Sequence, residues 1–496
     1  MDKLRFKNYR CFEDTGDISL KPLTFLLGAN SSGKSSILEF FPLLKQSVGI
    51  RKNGLFLWYS SDVDFKDFTN TVRNGKGSIE LTLKYDNFAV NERRRRGTRR
   101  RVDNEWQMMN DTIGITLTLR ISAKKDSSDY LEYMKIEYLD EVIEIDIDKT
   151  NHAKPIINGR LIDFEQRTIR ITSSGQLLPN MLFPHPVEEG LVLSMYPRFL
   201  EEMDLFPDKM PQEIKDRFFY DDVFFLRKDE NVEYLKSIVK QDDVDYEYLR
   251  DIYILSNLNE IIDMLNNRIS AETMAMSYIK PLRVMTERYY RYQNYAVDDI
   301  DSDGKNLAMF FANLTDTEFN KFREWTNNNF GFKIYISKHE GHVELRIGND
   351  EESSKNLVDV GFGYTQLLPI ITIIWKSIFG RGSRQLFSNS MNVTKIIAIE
   401  QPELHLHPRI QSSFGVMLAN LIANMQKEND IRFVIETHSE AIINAIGSMV
   451  QSEKLSQDKV NVVIFNGEEE GLDQYVVESQ FDNNGYLSNW PVGFFM

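Results

Sequence analysis

A single cysteine, Cys11, in 496 residues excludes an intrachain disulfide and any metal cluster built on several cysteines. That scarcity suits a reducing compartment. Basic charge is also short: 59 Lys and Arg stand against 74 Asp and Glu, for a net charge of −15. Such a chain does not bind phosphate backbones with its whole surface, so any nucleic-acid contact needs a local patch. Missing too is an unbroken apolar run of about 18 residues, the length a membrane helix requires. The apolar stretch from Leu367 to Trp375 is too short. The opening Met1-Asp2-Lys3-Leu4-Arg5 runs into an alternating strand instead of the apolar core of a signal peptide. The expectation is a soluble, cytoplasmic protein without membrane contact. The sequence shows neither internal repeats nor long low-complexity segments.

What is present is patterned. Leu4, Phe6 and Tyr9 mark one strand and Leu23 to Leu27 another. Ile79, Leu81, Leu83 and Tyr85 alternate with polar residues, as do Ile113, Ile115, Leu117, Leu119 and Ile121. A period of two predicts half-buried strands of an antiparallel sheet, with further strands at Tyr133 to Tyr138 and Val142 to Ile147. From about Val187 to Met276 apolar and charged residues mix at helical spacing, which predicts a helical insertion. A hairpin is expected at Lys333 to Ile347, turning near Glu340-Gly341. Beyond Asn356 helices and buried strands alternate, as a parallel sheet requires. The fold class is therefore α/β. Its expected division is an N-terminal lobe over 1–180, a mainly helical insertion over 181–300 and a C-terminal lobe over 301–496.

Four motifs carry chemistry. Gly28-Ala-Asn-Ser-Ser-Gly33-Lys34-Ser35 matches G-x-x-x-x-G-K-[ST] in full, between an apolar strand and a helical pattern. Its glycines let backbone N–H groups of Asn30, Ser31, Ser32, Gly33, Ser35 and Ser36 turn inward around phosphates, beside a positive helix start. Lys34 would reach the β- and γ-phosphates and Ser35 would ligate Mg²⁺. The second motif, Lys395-Ile-Ile-Ala-Ile-Glu400-Gln401-Pro402-Glu403, is an apolar strand ending in a carboxylate. Glu400 would hold the Mg²⁺, directly or through water. Gln401 follows it; an amide orients a water but cannot accept its proton. Glu403, a further carboxylate close by, is the candidate to serve as the base in its place. The third, Phe433-Val-Ile-Glu436-Thr437-His438-Ser439, ends another buried strand in a polar cluster. His438 is either a structural histidine or a switch residue at the γ-phosphate. The fourth, Asp359-Val-Gly361-Phe-Gly363-Tyr-Thr365-Gln366, places two glycines and a hydroxyl immediately before a helix expected to begin at Gln366. It is either an ordinary N-cap or an anion site facing a second subunit. Two lesser features remain. Seven arginines between Arg93 and Arg101 make either a solvated hairpin tip or a DNA contact. Arg283, after Tyr278-Ile-Lys-Pro-Leu, faces nucleotide, a neighbouring subunit or a structural junction.

P-loop, glycine-rich signature, Glu-Gln-Pro-Glu strand end and Thr-His-Ser switch occur here in one order. In this the chain resembles the ABC/SMC-like ATPase heads, and more closely their OLD-like branch. Leu4-Arg-Phe-Lys-Asn-Tyr-Arg-Cys-Phe12, Asp64-Phe-Lys-Asp-Phe68 and Tyr278-Ile-Lys-Pro-Leu-Arg283 are similar to that branch. So are Glu403-Leu-His-Leu-His-Pro408 and Trp490-Pro-Val-Gly-Phe-Phe495, the last the closing signature of a subgroup. The segment from about 125 to 275 carries no such motif. The resemblance implies an ABC-type head: a P-loop core with a parallel sheet plus an antiparallel β lobe, split by the insertion. It further implies ATP and Mg²⁺ as ligands and a homodimer with ATP sandwiched between copies, in some relatives a larger oligomer. PtuA- and AriA-type ATPases of this kind act in anti-phage defence with a separate nuclease or toxin subunit. Three departures stand out. Thr365 replaces a common serine, Gln401 replaces the usual catalytic glutamate, and the family's Q-loop glutamine is not assigned to a position.

Three readings of function follow. One is an ATPase that controls an effector. Another is a stand-alone OLD-type nuclease, against which the roughly 58 residues after His438 speak, since they are fewer than a typical domain. The last is a nucleotide-gated binding module with little hydrolysis, which Gln401 favours. A transporter ATPase would need a membrane partner.

Overall fold

Alternating sequences must resolve into sheets with one buried face, and in the computed structural model of the protein they do. The structure describes residues 1–90, 111–124, 128–162, 169–172, 175–187, 190–194, 233, 236, 246–281, 283, 287–292, 300–339, 341–380, 393–425, 430–466 and 475–488. The arginine cluster at 93–101 and the closing 490–495 signature lie outside them. Two compact units interleave along the chain. One comprises Met1–Asp14, Gln46–Ser60 and Asp64–Ala271; the other comprises Thr15–Lys45, Ser61–Val63 and Glu272–Met496.

The first unit is an antiparallel sheet. From Lys3–Tyr9 it runs outward through Ile79–Val90, Asp111–Ala123, Asp129–Tyr138, Glu141–Ile147 and His152–Ile157. The two alternating sets pair residue for residue: Ile79 with Ile121, Leu81 with Leu119, Leu83 with Leu117 and Tyr85 with Ile115. All eight side chains are buried. Cross-strand apolar pairs of this kind pin the register, because a slip by one residue would turn every one of them to water. The segment expected to be helical from 187 begins with a strand, Gly190–Ser194, paired with Asn180–Val187. Among the described residues the helices Tyr246–Ser256 and Leu258–Ala275 follow. Asn259 and Asn266 reach from the second helix to the backbone of Met181 and Leu178, each as donor and acceptor.

The second unit is α/β. Its sheet runs Ser277–Ile279, Lys395–Glu400, Ile431–Glu436, Leu23–Gly28, Val460–Phe465 and Val476–Ser479, parallel except for the last pair. Leu23–Gly28 and Val460–Phe465 are buried along their whole length, as strands covered on both faces must be. Leu23 to Gly28 thus shares a sheet with strands some 400 residues further on. The helices Phe362–Phe379, Pro408–Ala423 and Glu440–Gln451 cover the sheet with apolar side chains in one common core. By length and composition Phe362–Phe379 could cross a bilayer. Its residues Thr365 to Trp375 are nonetheless buried in the core of this unit. The expected hairpin is present as Lys333–His339 with His342–Gly348, paired from Lys333 with Gly348 to His339 with His342; Glu340 lies outside the described residues.

Register decides what the sheet presents. Glu400 pairs with Glu436, and Glu436 with Leu26. The carboxyl ends of three neighbouring strands therefore lie level. In a parallel sheet that edge is where ligands bind.

Candidate nucleotide site

The loop after Leu23–Gly28 is held in a shape that its glycines make possible. Gly28 has φ 153, and a Cβ there would sit 2.5 Å from the Phe465 carbonyl oxygen and 2.8 Å from the Ser32 hydroxyl. Gly33, at φ 95, caps the helix Lys34–Leu38. Ser31 adopts φ 62 at the loop's exposed tip beside Asn30. Lys34 is folded into its own loop, 3% exposed. Its ammonium donates to the carbonyls of Gly28 and Ala29 at 3.0 and 2.6 Å. Ser35 and Ser36 are half-buried, and the buried Ser32 hydroxyl finds no hydrogen-bond partner among the described residues.

Carboxylates converge on this loop from the neighbouring strand ends. The Ser35 hydroxyl donates to Glu436 Oε2 at 2.7 Å and also hydrogen-bonds Glu400. Lys34 Nζ stands 4.0 Å from Glu436 Oε1. Tyr278, from the outer strand, donates its hydroxyl to Glu400 Oε2 at 2.7 Å. Glu403 turns the other way. It accepts from the Thr437 hydroxyl and from the His438 N–H, both at 2.8 Å. Gln401 has φ 41 and donates its backbone N–H to the Glu436 carbonyl at 2.9 Å. Arg283, 5% exposed, donates from Nη2 to the Glu400 carbonyl at 3.1 Å. Its Nε and Nη1 are buried with no partner among the described residues.

The electrostatics follow from packing three acids around two cations. Burial raises Glu436 to about 7, reinforced by the charges of Glu400 and Glu403 and opposed by Ser35 and Lys34. Burial also raises Glu400 and Glu403 against the hydrogen bonds they accept. Burial lowers Lys34, opposed by Glu436 and Glu403. Arg283 is lowered to about 10 by burial. His438, half-buried, is lowered by burial and then by the Lys34 charge, which keeps the imidazole neutral. A buried acid excess of this kind calls for a cation. A serine hydroxyl beside carboxylates is a hard-oxygen donor set of the type Mg²⁺ takes with its remaining waters. Nucleotide fits as well: the loop presents a lysine, an unsatisfied hydroxyl and a helix start where phosphate oxygens would go.

The signature turn lies elsewhere on the same unit. Its helix begins at Phe362 with Gly361 as N-cap, four residues earlier than the apolar run from Gln366 suggests. Gly361 has φ 116, and a Cβ on Gly363 would meet the His405 carbonyl at 2.9 Å. The Thr365 hydroxyl donates to Phe362 O, and the rings of Phe362 and His405 pack edge to face. Glu436, Tyr278 and Arg283 complete the site; all three stand within motifs quoted from the sequence, where Glu436 and Tyr278 were given no role of their own. A visible signal existed for Glu436: it ends an apolar strand in an acid, as Glu400 does.

A wrapped phosphate loop, a basic residue inside it and acids at adjacent parallel strand ends define a P-loop nucleotide-binding protein. The family profile described as AAA ATPase domain matches residues 1–443. The chain belongs to that family and is an ATPase. It is 26% identical over 195 residues to endonuclease GajA of Bacillus cereus (strain HuB5-5), which is 38% of this chain and 23% of the relative. It thus matches about a quarter of that relative's length. Two solved structures to which it is similar are SMC head domains. One, from Pyrococcus furiosus, carries an extended coiled coil and is bound to the C-terminal domain of ScpA. It covers 96% of this chain and 95% of its own at 11% identity and a TM-score of 0.31. Another, from Thermotoga maritima, covers 97% and 98% at 9% identity and a TM-score of 0.32.

Proposed function

We propose that the protein is an ABC-like ATPase head that binds Mg-ATP, closes on it as a dimer and controls a separate effector in anti-phage defence. ATP phosphates would lie in the loop at Asn30 to Ser36, with Lys34 on the β- and γ-phosphates. Mg²⁺ would be held by the Ser35 hydroxyl and Glu400, and would neutralise charge that develops on the phosphates. The observation that carries the reading is the joining of Lys34 and Ser35 to the acids at the ends of the two neighbouring strands. Gly361, Gly363 and Thr365 would face the nucleotide of a second copy. In support of an exposed docking face, Val358 and Phe362 beside that turn are both 41% exposed.

The effector is taken to be a nuclease or toxin, and the working compartment the cytoplasm. A relative named as an endonuclease supports that context, as does the motif resemblance to OLD-like ATPases. Arg93 to Arg101 would serve an outside partner such as DNA. Hydrolysis is slow in this reading, because position 401 carries an amide, so the ATP-bound state persists until a trigger arrives. The test measures phosphate release by wild type and Lys34→Ala under saturating Mg-ATP, with plasmid added in parallel. Release that depends on Lys34, without cleavage by this chain alone, is the expected result. Plasmid cleavage by the pure chain would replace the effector reading with that of a stand-alone nuclease.

A further inference from the structure

Position 401 offers no carboxylate, yet the site holds three acids, and their geometry separates them. Glu403 has both oxygens committed to the loop of Thr437 and His438. Glu400 is held on Oε2 by the Tyr278 hydroxyl, and the nucleotide reading above assigns it to the metal. Glu436 lies between the P-loop strand and the strand of Glu400, level with both. It is 2% exposed. Its two oxygens face the two P-loop side chains, one at Ser35 Oγ and the other toward Lys34 Nζ. Of the three, its carboxylate faces the residues that would carry the terminal phosphates.

We propose that Glu436 supplies the water-orienting carboxylate that position 401 lacks. The two positions are joined through the backbone, the Gln401 N–H donating to the Glu436 carbonyl at 2.9 Å. A carboxylate can therefore be moved from one strand end to its neighbour without leaving the site. In the reaction the water oxygen bonds the γ-phosphorus. The bond from that phosphorus to the β,γ-bridging oxygen breaks, and its electron pair stays with ADP. The proton released leaves with phosphate or to bulk water. Glu436 accepts a hydrogen bond from the water and holds it in line; it need not keep the proton. Gln401 and Glu436 act as an exchanged pair, amide where an acid is usual and acid on the next strand. This inference rests on the nucleotide site proposed above.

The experiment compares wild type, Glu436→Gln, Gln401→Glu, the double variant and Glu436→Asp, with Lys34→Ala as the blank. Each is assayed for phosphate release, for ATP affinity and for the identity of nucleotide retained after rapid desalting. Groups that position or activate water are worth about 10²–10⁴-fold. Glu436→Gln should therefore lose at least about 100-fold in kcat, keep ATP affinity within about threefold and retain ATP uncleaved. The double variant, with its acid returned to 401, should regain at least about tenfold over Glu436→Gln. If Glu436→Gln does not fold, Glu436→Asp decides, with a kcat well below wild type at unchanged affinity. Three results would overturn the proposal alone: kcat near wild type, a loss that lies wholly in ATP affinity, or no recovery in the double variant. Wild-type release no higher than Lys34→Ala would sink the nucleotide-site reading, and the inference with it.

Discussion

Lys34 directs its ammonium at the carbonyls of its own loop. Phosphate oxygens would replace those neutral acceptors with charged ones, and charge-assisted contacts are worth about 1.5–3 kcal/mol. Lys34→Ala should weaken ATP binding by about 10- to 100-fold and abolish turnover, as read by calorimetry and phosphate release. Unchanged affinity would remove the P-loop assignment. Glu436 makes a separate statement about pH. Its carboxyl is raised from 4.5 to about 7 in the folded chain, chiefly by burial. Between those values the unfolded chain gives up the proton and the folded chain keeps it. The stability this contributes is full below the unfolded value and is lost as pH rises through the folded one. Relative to Glu436→Gln, wild type should lose on the order of 3 kcal/mol across that window. Denaturant melts of both proteins at several pH values check it, and a constant difference would mean that the carboxyl is not raised.

At the scale of elements, Glu403 ties the loop after Lys395–Glu400 to the loop after Ile431–Glu436. Leaving two such donors unmet costs about 1–3 kcal/mol each. Glu403→Ala should lower the melting temperature and misplace His438, so turnover falls. The acid limb of the pH–rate profile should stay where it is, since Glu403 positions the loop and does not take the proton. A profile that loses that limb in Glu403→Gln would restore Glu403 as a base. Much at this scale was legible beforehand. The period-two runs at Ile79 to Tyr85 and Ile113 to Ile121 proclaimed a sheet face, and Glu340-Gly341 a hairpin turn. The P-loop was legible because its glycines obey local backbone limits. Register was not legible, because nothing in Phe433 to Glu436 tells which strand lies beside it. Only pairing across hundreds of residues puts Glu436 next to Glu400 and Ser35. The start of the Phe362 helix was missed for a related reason: a glycine N-cap at φ 116 hides inside a Gly-rich string that reads as loop.

For the whole molecule, the question is whether one chain contains a complete site. The signature turn packs against His405 of its own chain and leaves Val358 and Phe362 each 41% exposed. An isologous dimer that covers this face would bring each turn to the partner's P-loop, because a two-fold axis makes every such contact twice. Phe362→Asp places an unpaired charge in that face without touching the P-loop, whereas Lys34→Ala disables the P-loop without touching the face. Each variant alone should be inactive, with both composite sites of its homodimer broken. A mixed dimer has one site with both defects and one with neither. Random mixing makes half the dimers mixed, so activity should return to about a quarter of wild type. Native mass spectrometry of the mixture with Mg-ATP reports whether mixed dimers form, and phosphate release reports the activity. Mixed dimers present but no more active than either parent would show that each chain completes its own site, and the signature turn would then be a helix cap alone.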